Sequence, residues 1–171
     1  MEDRTIRIVQ TTRPFGYVTP FPQEEHTLLV CVVDETVSED ERASISEAIV
    51  AAKCRYAVCW GYECSEWDTA IDYAHIATDP NFDPPNDAFV MTTWHDAEPI
   101  EDAIEFWWMN TCFEDYQSTN FAVLVIGEAD SLTAKISNIT SDLAQHWNNL
   151  TNNKKDNKSE QATPRKPSDL F

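Results

Sequence analysis

The feature that most constrains the fold is a fourfold alternation between a short apolar run and a segment with helical spacing of apolar residues. The apolar runs cover residues 27–33, 55–60, 88–94 and 121–126. In the segments that follow them, apolar residues recur at intervals of three and four, as in an amphipathic helix. Parallel strands need long crossover connections, which helices supply. The alternation therefore predicts an α/β protein, a three-layer α/β/α sandwich with a four-stranded, mainly parallel sheet.

The strand order and the helix starts are predicted from common patterns. A frequent arrangement places the first strand in the middle, in the order 2-1-3-4, so that the sheet's switch point lies between strands one and three. Helix starts are marked by capping boxes, in which a serine and an acidic residue three positions later bond to each other's main chain. Ser38 with Glu41 and Ser65 with Asp68 fit this pattern.

The two ends of the chain differ from its middle. Residues 1–26 include three prolines and have only one strand-like piece, at 6–9, so we expect an extended N-terminal arm. The α/β domain is predicted to cover 27–150. Residues 151–171 are almost free of apolar side chains before the last two, which is typical of a disordered polar tail. The first residues lack a signal-peptide pattern, and the odd number of cysteines without a C-x-x-C pair suits reduced thiols, so the expected location is the cytoplasm.

The charge of the chain excludes several function classes. Twelve Lys and Arg stand against 30 Asp and Glu, for a formal net charge of -18. Such a chain repels the phosphates of nucleic acids and the surfaces of anionic membranes. Its apolar runs are far shorter than the roughly 20 residues of a membrane-spanning helix. No glycine-rich phosphate loop is present in the sequence, so no cofactor is predicted.

Ligands of parallel α/β sheets bind at the carboxyl ends of the strands, and reactive side chains follow these ends here. They are a thiol, an imidazole and three carboxylates: Cys64, His95, Asp34, Glu63 and Asp96. Cys64 at a helix N-terminus with His95 as its base would form a nucleophilic pair. The alternative is that Cys64 caps or packs the helix start and that His95 pairs with nearby carboxylates. The oxygen and nitrogen donors also suit a divalent cation, but no ligand spacing supports a metal site.

An aromatic run, F-W-W-M at residues 106–109, indicates an interaction surface. A helix cannot bury four consecutive residues on one face, so Trp108 is expected to point outward unless the N-terminal arm covers it. Aromatic residues dominate binding hot spots, and an acidic surface steers a basic partner toward it. The predicted partner-binding residues are therefore two aromatic anchors and three carboxylates: Trp108, Tyr62, Glu101, Asp102 and Glu105.

Two segments of the chain resemble an uncharacterised family of small bacterial domains. They are W-G-Y-E-C-S-E-W-D at residues 60–68 and M-T-T-W-H at residues 91–95. The family carries the corresponding motifs W-G-x-x-C-S-x-W-D and M-T-T-W-H, and the similarity covers residues 27–130. The resemblance implies no known activity and transfers no functional residue.

Three functional hypotheses follow. The first is a non-enzymatic, acidic module that binds a basic protein, as the immunity or inhibitor partner of a toxin or as a component of a bacterial defence system. The second is a small hydrolase or metal-dependent enzyme with its site at the strand ends. The third is a DNA mimic that occupies the basic groove of another protein. The first predicts salt-sensitive association that survives the loss of Cys64 or His95, whereas the second predicts that turnover is lost with them.

Overall fold

The computed structural model describes residues 3–113 and 116–161, with side chains through residue 151. Strands and helices alternate along most of this part of the chain. The strands are β1 (Thr5–Thr11), β2 (His26–Val32), β3 (Cys54–Gly61), β4 (Met91–His95) and β5 (Asn120–Ile126). The helices are α1 (Glu39–Ala51), α2 (Cys64–Ile76), α3 (Ile100–Asn110) and α4 (Asp130–Gln161).

The strands form one parallel sheet in the order β1-β5-β2-β3-β4. The α/β class and the parallel sheet are confirmed, and β2, the first predicted strand, is central as expected. The predicted order 2-1-3-4 is wrong. α1 and α2 lie on the same face of the sheet, so their crossovers add β3 and then β4 on one side of β2. α3 lies on the other face, and its crossover places β5 on the opposite side of β2. The switch point therefore lies between β2 and β5.

The predicted N-terminal arm contributes a fifth strand to the sheet. β1 pairs with β5 along its whole length, from Thr5 opposite Asn120 to Thr11 opposite Ile126. Further along the arm, Tyr17 and Phe21 are buried in the core on the α1 side. Residues 1–26 are thus not a separate arm over the domain, because seven of them complete its sheet.

Two apolar layers hold the sandwich together. On one face, α1 and α2 bury Ile49 and Trp67 against β2 and β3. On the other face, α3 and α4 bury Trp107 and Ile136 against β2 and β5. Each β-strand of the centre is covered from both sides, which explains why β2 and β5 are apolar runs rather than alternating ones. The three-layer architecture is confirmed.

The helix boundaries differ from the predictions at two places. The capping box of Ser38 and Glu41 is present at the start of α1. The predicted box of Ser65 and Asp68 is wrong, because α2 begins at Cys64 and Asp68 is buried inside the helix face that packs on the sheet. α4 runs to Gln161, so residues 151–161 of the predicted disordered tail are helical. Residues 162–171 of that tail lie outside the described residues.

Candidate functional site

The switch point of the sheet forms a cleft at the carboxyl ends of β1, β2 and β5. It has a volume of about 390 Å³ and is lined by residues 12–13, 33–35 and 127–128. The crossovers of β2 and β5 leave in opposite directions at this point, because α1 and α4 lie on different faces of the sheet. Such a divergence opens the crevice in which α/β proteins bind ligands. The cleft is therefore the first candidate site.

Two charged residues of this cleft, Asp34 and Arg13, are bonded to residues just outside it. Asp34 accepts hydrogen bonds from the main-chain N–H and the hydroxyl of Thr36, at 2.8 and 2.6 Å, which hold the pKa of Asp34 below its ordinary value. Arg13 donates to the Thr36 carbonyl at 2.6 Å and pairs with Glu41 at 2.5 Å. Arg13 therefore lines the cleft with its charge already paired, beside three acidic residues, Asp34, Glu35 and Glu128. This balance favours a cation over a phosphate.

Gly127 closes the bottom of the cleft. Its φ of +119° is one that L side chains rarely adopt. A Cβ at this position would lie 2.8 Å from the Val33 Cγ2 atom and 3.0 Å from the Asp34 main-chain nitrogen. The main chains of the two loops approach each other closely because this residue has no side chain.

Cys64 and His95, the predicted nucleophilic pair, face different sides of the sheet. Cys64 is buried in the α1–α2 core, where burial, with the nearby Asp96 charge, raises the pKa of its thiol. The imidazole of His95 packs on Phe106 of α3, at 4.7 Å between ring centroids, and its Nδ1 lies 2.7 Å from a carboxylate oxygen of Glu98. The thiol lies near the main-chain N–H of His95 and on the opposite face from the imidazole, which matches the packing alternative.

The remaining strand-end acids are separated as well. Glu63 precedes α2 and pairs with Arg42 at 2.6 Å, whereas Asp96 is exposed after β4. Asp34 belongs to the cleft described above, on the other side of β2. Among the residues that the structure describes, no three His, Cys, Asp or Glu side chains come together as metal ligands.

Trp108, the predicted outward anchor, is buried, with 2% of its surface exposed. The prediction was wrong because α3 is covered on a second side, by α4 and by the residue that precedes β1. The centroid of the Trp108 ring lies 4.8 Å from that of the Phe121 ring and 6.1 Å from that of the Trp147 indole. The guanidinium of Arg4 lies 4.7 Å from the same ring and donates to the Trp108 carbonyl at 2.5 Å. The alternative that the N-terminal arm covers Trp108, through Phe15, Tyr17 or Phe21, holds only for Arg4, because these three aromatic residues belong to the opposite core layer.

The other predicted partner-binding residues lie at the surface. Tyr62 is exposed directly after β3. Glu101, Asp102 and Glu105 are exposed on α3, and Glu101 pairs with Lys135 of α4 at 2.6 Å. Their role in binding stays a prediction, but the aromatic anchor that was expected beside them on α3 is absent from the surface.

Sequence reasoning missed an exposed aromatic surface on the opposite side of the molecule. Trp94 of β4 is opposite Cys59 of β3 in the register, and Cys59 is in the α1–α2 core, so Trp94 faces the α2 side. It is nevertheless 55% exposed, because β4 is the last strand of the sheet and has a neighbour on one side only. Trp94 and the outer edge of β4 are together called the β4 surface. The exposed large apolar residues of α2 and of the loop after it are Tyr73, Ile76, Phe82 and Phe89.

The β4 surface lies in a stretch of sequence that contains no lysine or arginine. The last basic residue before it is Arg55 and the next is Lys135, whereas acidic residues occur throughout the stretch. Beside β4, Asp72 accepts a hydrogen bond from the Thr92 hydroxyl at 2.8 Å. Asp68, one turn earlier, is buried, and its burial raises the pKa of its carboxyl group. A count of charges between Arg55 and Lys135 would have revealed this asymmetry in the sequence.

The fold and these features define a three-layer α/β domain with one parallel sheet, an acidic strand-end cleft and an exposed aromatic edge. The chain belongs to the family described as Domain of unknown function (DUF7684), whose model matches residues 6–143. The expected membership of an uncharacterised family is confirmed, and the match extends into the N-terminal residues that the resemblance left outside. No curated protein and no solved structure matches the chain. In the described residues, every helix is too short or too polar to cross a membrane.

Proposed function

We propose that this chain is a non-enzymatic, acidic module that binds a basic protein through the β4 surface. In a bacterial cytoplasm, such a module serves as the immunity or inhibitor partner of a toxin or as a component of a defence system. The observation that carries the proposal is the exposure of Trp94 on an edge strand within a stretch that lacks basic residues.

Trp94 has the properties of a binding anchor. Tryptophan is the residue most enriched in hot spots, and an exposed one leaves a large apolar area in water. Little of the fold depends on this side chain, since more than half of its surface is already exposed. Four further large apolar residues, on α2 and in the loop that follows it, are exposed as well. An association that covers Trp94 would therefore gain apolar burial without disturbing the core.

Charge determines which partner fits. Asp72 and Asp96 lie beside β4, whereas the two arginines that reach this side from elsewhere in the chain are already paired with carboxylates, Arg42 with Glu63 and Arg55 with Glu25. A basic partner would be attracted over several ångströms and would relieve the repulsion among these carboxylates. An acidic partner, or a nucleic acid, would be repelled. This is the chemistry that an inhibitor of a basic toxin needs.

The test compares capture of binding proteins from host lysate by the full chain and two variants. Trp94→Ala removes the proposed anchor, and Met109→Ala is the matched control, because Met109 is 54% exposed on α3, on the other face of the sheet. We expect one basic protein that is released by salt, is retained by Met109→Ala and is bound about 30-fold more weakly by Trp94→Ala. Equal affinities of Trp94→Ala and the wild-type chain for that protein would contradict the proposal.

A second pair of variants tests the charge. Asp96→Asn neutralises an exposed carboxylate two residues after Trp94, whereas Asp142→Asn makes the same change on α4. We expect Asp96→Asn to weaken binding of the captured partner about two- to fivefold at low salt, with no change for Asp142→Asn. Equal effects of the two changes would mean that only the net charge matters, and the β4 surface would lose its place in the proposal. Competition by DNA for the captured partner would instead support the DNA-mimic hypothesis.

The second candidate function is a small-molecule site in the strand-end cleft, which the enzyme hypothesis would use. The observation in its favour is the volume of about 390 Å³ at the switch point, within the usual range of about 300–1,000 Å³ for ligand pockets. Three acidic residues against one arginine give the lining a net negative charge, which favours a cationic ligand. Agmatine should raise the melting temperature of the wild-type chain and of Asp142→Asn, but not that of Asp34→Asn. The absence of any rise in the wild-type chain would contradict this second candidate function.

A further inference from the structure

We infer that the partner binds by adding an extended segment to the outer edge of β4, as a sixth strand of the sheet. This inference rests on the proposed function and specifies how the β4 surface is used. In strand addition, main-chain hydrogen bonds supply the affinity and alternate side chains supply the specificity.

The first argument is that β4 has an open edge. It pairs with β3 from Met91 opposite Tyr56 to His95 opposite Trp60, and no strand in the described ranges lies on its other side. The main-chain groups of β4 that point away from β3 have no strand partner in these ranges, and the His95 N–H, at the end of the strand, bonds to the Cys64 thiol. Five residues of edge are enough for a short extended segment, since typical strands have about five or six residues.

The second argument is that β4 lacks the usual protection of an edge strand. Edge strands commonly carry a charged residue or a proline that prevents pairing with other chains. β1, at the opposite edge of the sheet, has the exposed Arg7 in its middle. β4 reads M-T-T-W-H, with β-branched and aromatic residues and neither a lysine, an arginine nor a proline. The contrast between the two edges marks β4 as the one that is open to pairing.

The third argument concerns the side chains that would flank an added strand. Neighbouring strands lie about 4.8 Å apart, so every second residue of the new strand would lie beside Trp94 and Thr92 on the α2 side. Asp72 is hydrogen-bonded to Thr92, and Asp96 follows the strand. Apolar residues would pack on Trp94, and basic residues would pair with these carboxylates. The geometry points to an extended segment that contains both lysine or arginine and apolar residues.

A second copy of this chain fits the edge less well. Two copies joined edge to edge through β4 would bring two sets of the same carboxylates together, and residues 56–134 of either copy contain no lysine or arginine to pair with them. Like charges placed opposite each other at an interface are destabilising. The open edge therefore favours a basic partner over self-association.

The experiment uses the full chain and a fluorescent peptide, K-T-V-T-K-T-V, whose lysines and valines lie on one face of an extended chain and whose threonines lie on the other. The control peptide has the same sequence with N-methyl groups on alternate residues, so its charge and side chains are unchanged but half of its main-chain donors are blocked. We expect the control to bind at least about tenfold more weakly, because two or three hydrogen bonds are lost. We also expect amide-exchange protection of residues 91–95 with the unmodified peptide, and weaker binding by Trp94→Ala than by Met109→Ala.

Three outcomes would overturn the inference. Equal binding of the two peptides would mean that attraction between charges, not strand pairing, holds the segment. Exchange protection away from residues 91–95 would place the peptide elsewhere. A concentration-dependent dimer that protects β4 in sedimentation and exchange measurements would assign the edge to a second copy. In each case the proposed function is judged separately, because a captured basic partner that depends on Trp94 would uphold the binding surface without the added strand.

Discussion

Replacing Trp108 by alanine should destabilise the fold severely, although its position in a run of four large residues made it a predicted surface anchor. Its ring is enclosed by Phe121, Trp147 and the Arg4 guanidinium, at 4.7 to 6.1 Å. Truncation removes these contacts and leaves a cavity between α3, α4 and β5. The Arg4 side chain also loses the aromatic face against which it lies.

The magnitude follows from the area that Trp108 buries. A tryptophan in this environment buries about 150–250 Å², which at about 25 cal/mol per Å² corresponds to roughly 4–6 kcal/mol as an upper estimate. Measured costs of truncating buried aromatic residues are about 3–5 kcal/mol. We therefore expect the free energy of unfolding to fall by about 3–5 kcal/mol, a large part of the stability of an ordinary domain.

Urea unfolding followed by far-ultraviolet circular dichroism measures this loss without depending on tryptophan fluorescence. With a slope of about 2 kcal/mol per molar urea, the midpoint should fall by about 1.5–2.5 M. Met109→Ala, the next position on α3, should shift the midpoint by less than about 0.3 M, because Met109 is largely exposed. A shift below about 0.5 M for Trp108→Ala would refute the reasoning that this ring is part of the core.

Two further predictions concern the core and the cleft. Burial lowers the pKa of His26, whose Nε2 lies 2.9 Å from the Tyr17 hydroxyl, below its unfolded value of about 6.5. Neutral His26 therefore contributes stability above about pH 6.5, and this contribution is lost as the pH falls from the unfolded pKa toward the lower folded pKa. The difference in unfolding free energy between the wild-type chain and His26→Gln should shrink between pH 7.5 and 5.5. A constant difference would contradict this. Gly127→Ala should lower the free energy of unfolding in urea by about 2 kcal/mol or more, because a Cβ meets Val33 at 2.8 Å in a backbone conformation that alanine disfavours. Gly16→Ala, which has open space around it, should cost less than about 0.5 kcal/mol. Similar effects of the two changes would show that the close approach is unimportant.

The strands and helices of the middle of the chain were predictable because their burial is recorded in local patterns. β2 and β5 are covered on both faces and read as continuous apolar runs. The strand order was not predictable in this way, since it depends on which face each crossover helix packs on. β1 was recognised only as a strand-like piece, because an edge strand with a charged residue and nearby prolines has a weak pattern.

The candidate sites were harder to predict than the fold, because they depend on which surfaces the helices leave uncovered. Trp108 was expected outside because a helix was assumed to have one buried side, but α4 covers a second side of α3. Trp94 was placed at the end of the third predicted strand, and its exposure depends on that strand lying at the edge of the sheet. Cys64 and His95 were placed near each other by their positions at strand ends, while their side chains pack in opposite core layers. Each of these differences is set by tertiary packing.

The most direct test of the account is amide hydrogen exchange on the full chain with and without its captured basic partner. The account predicts that partner binding slows exchange in residues 64–76 and 91–95, which form α2 and β4. It also predicts that the protection disappears together with affinity in Trp94→Ala. Protection centred on α3 and α4, with α2 and β4 unchanged, would contradict the assignment of the β4 surface as the binding site.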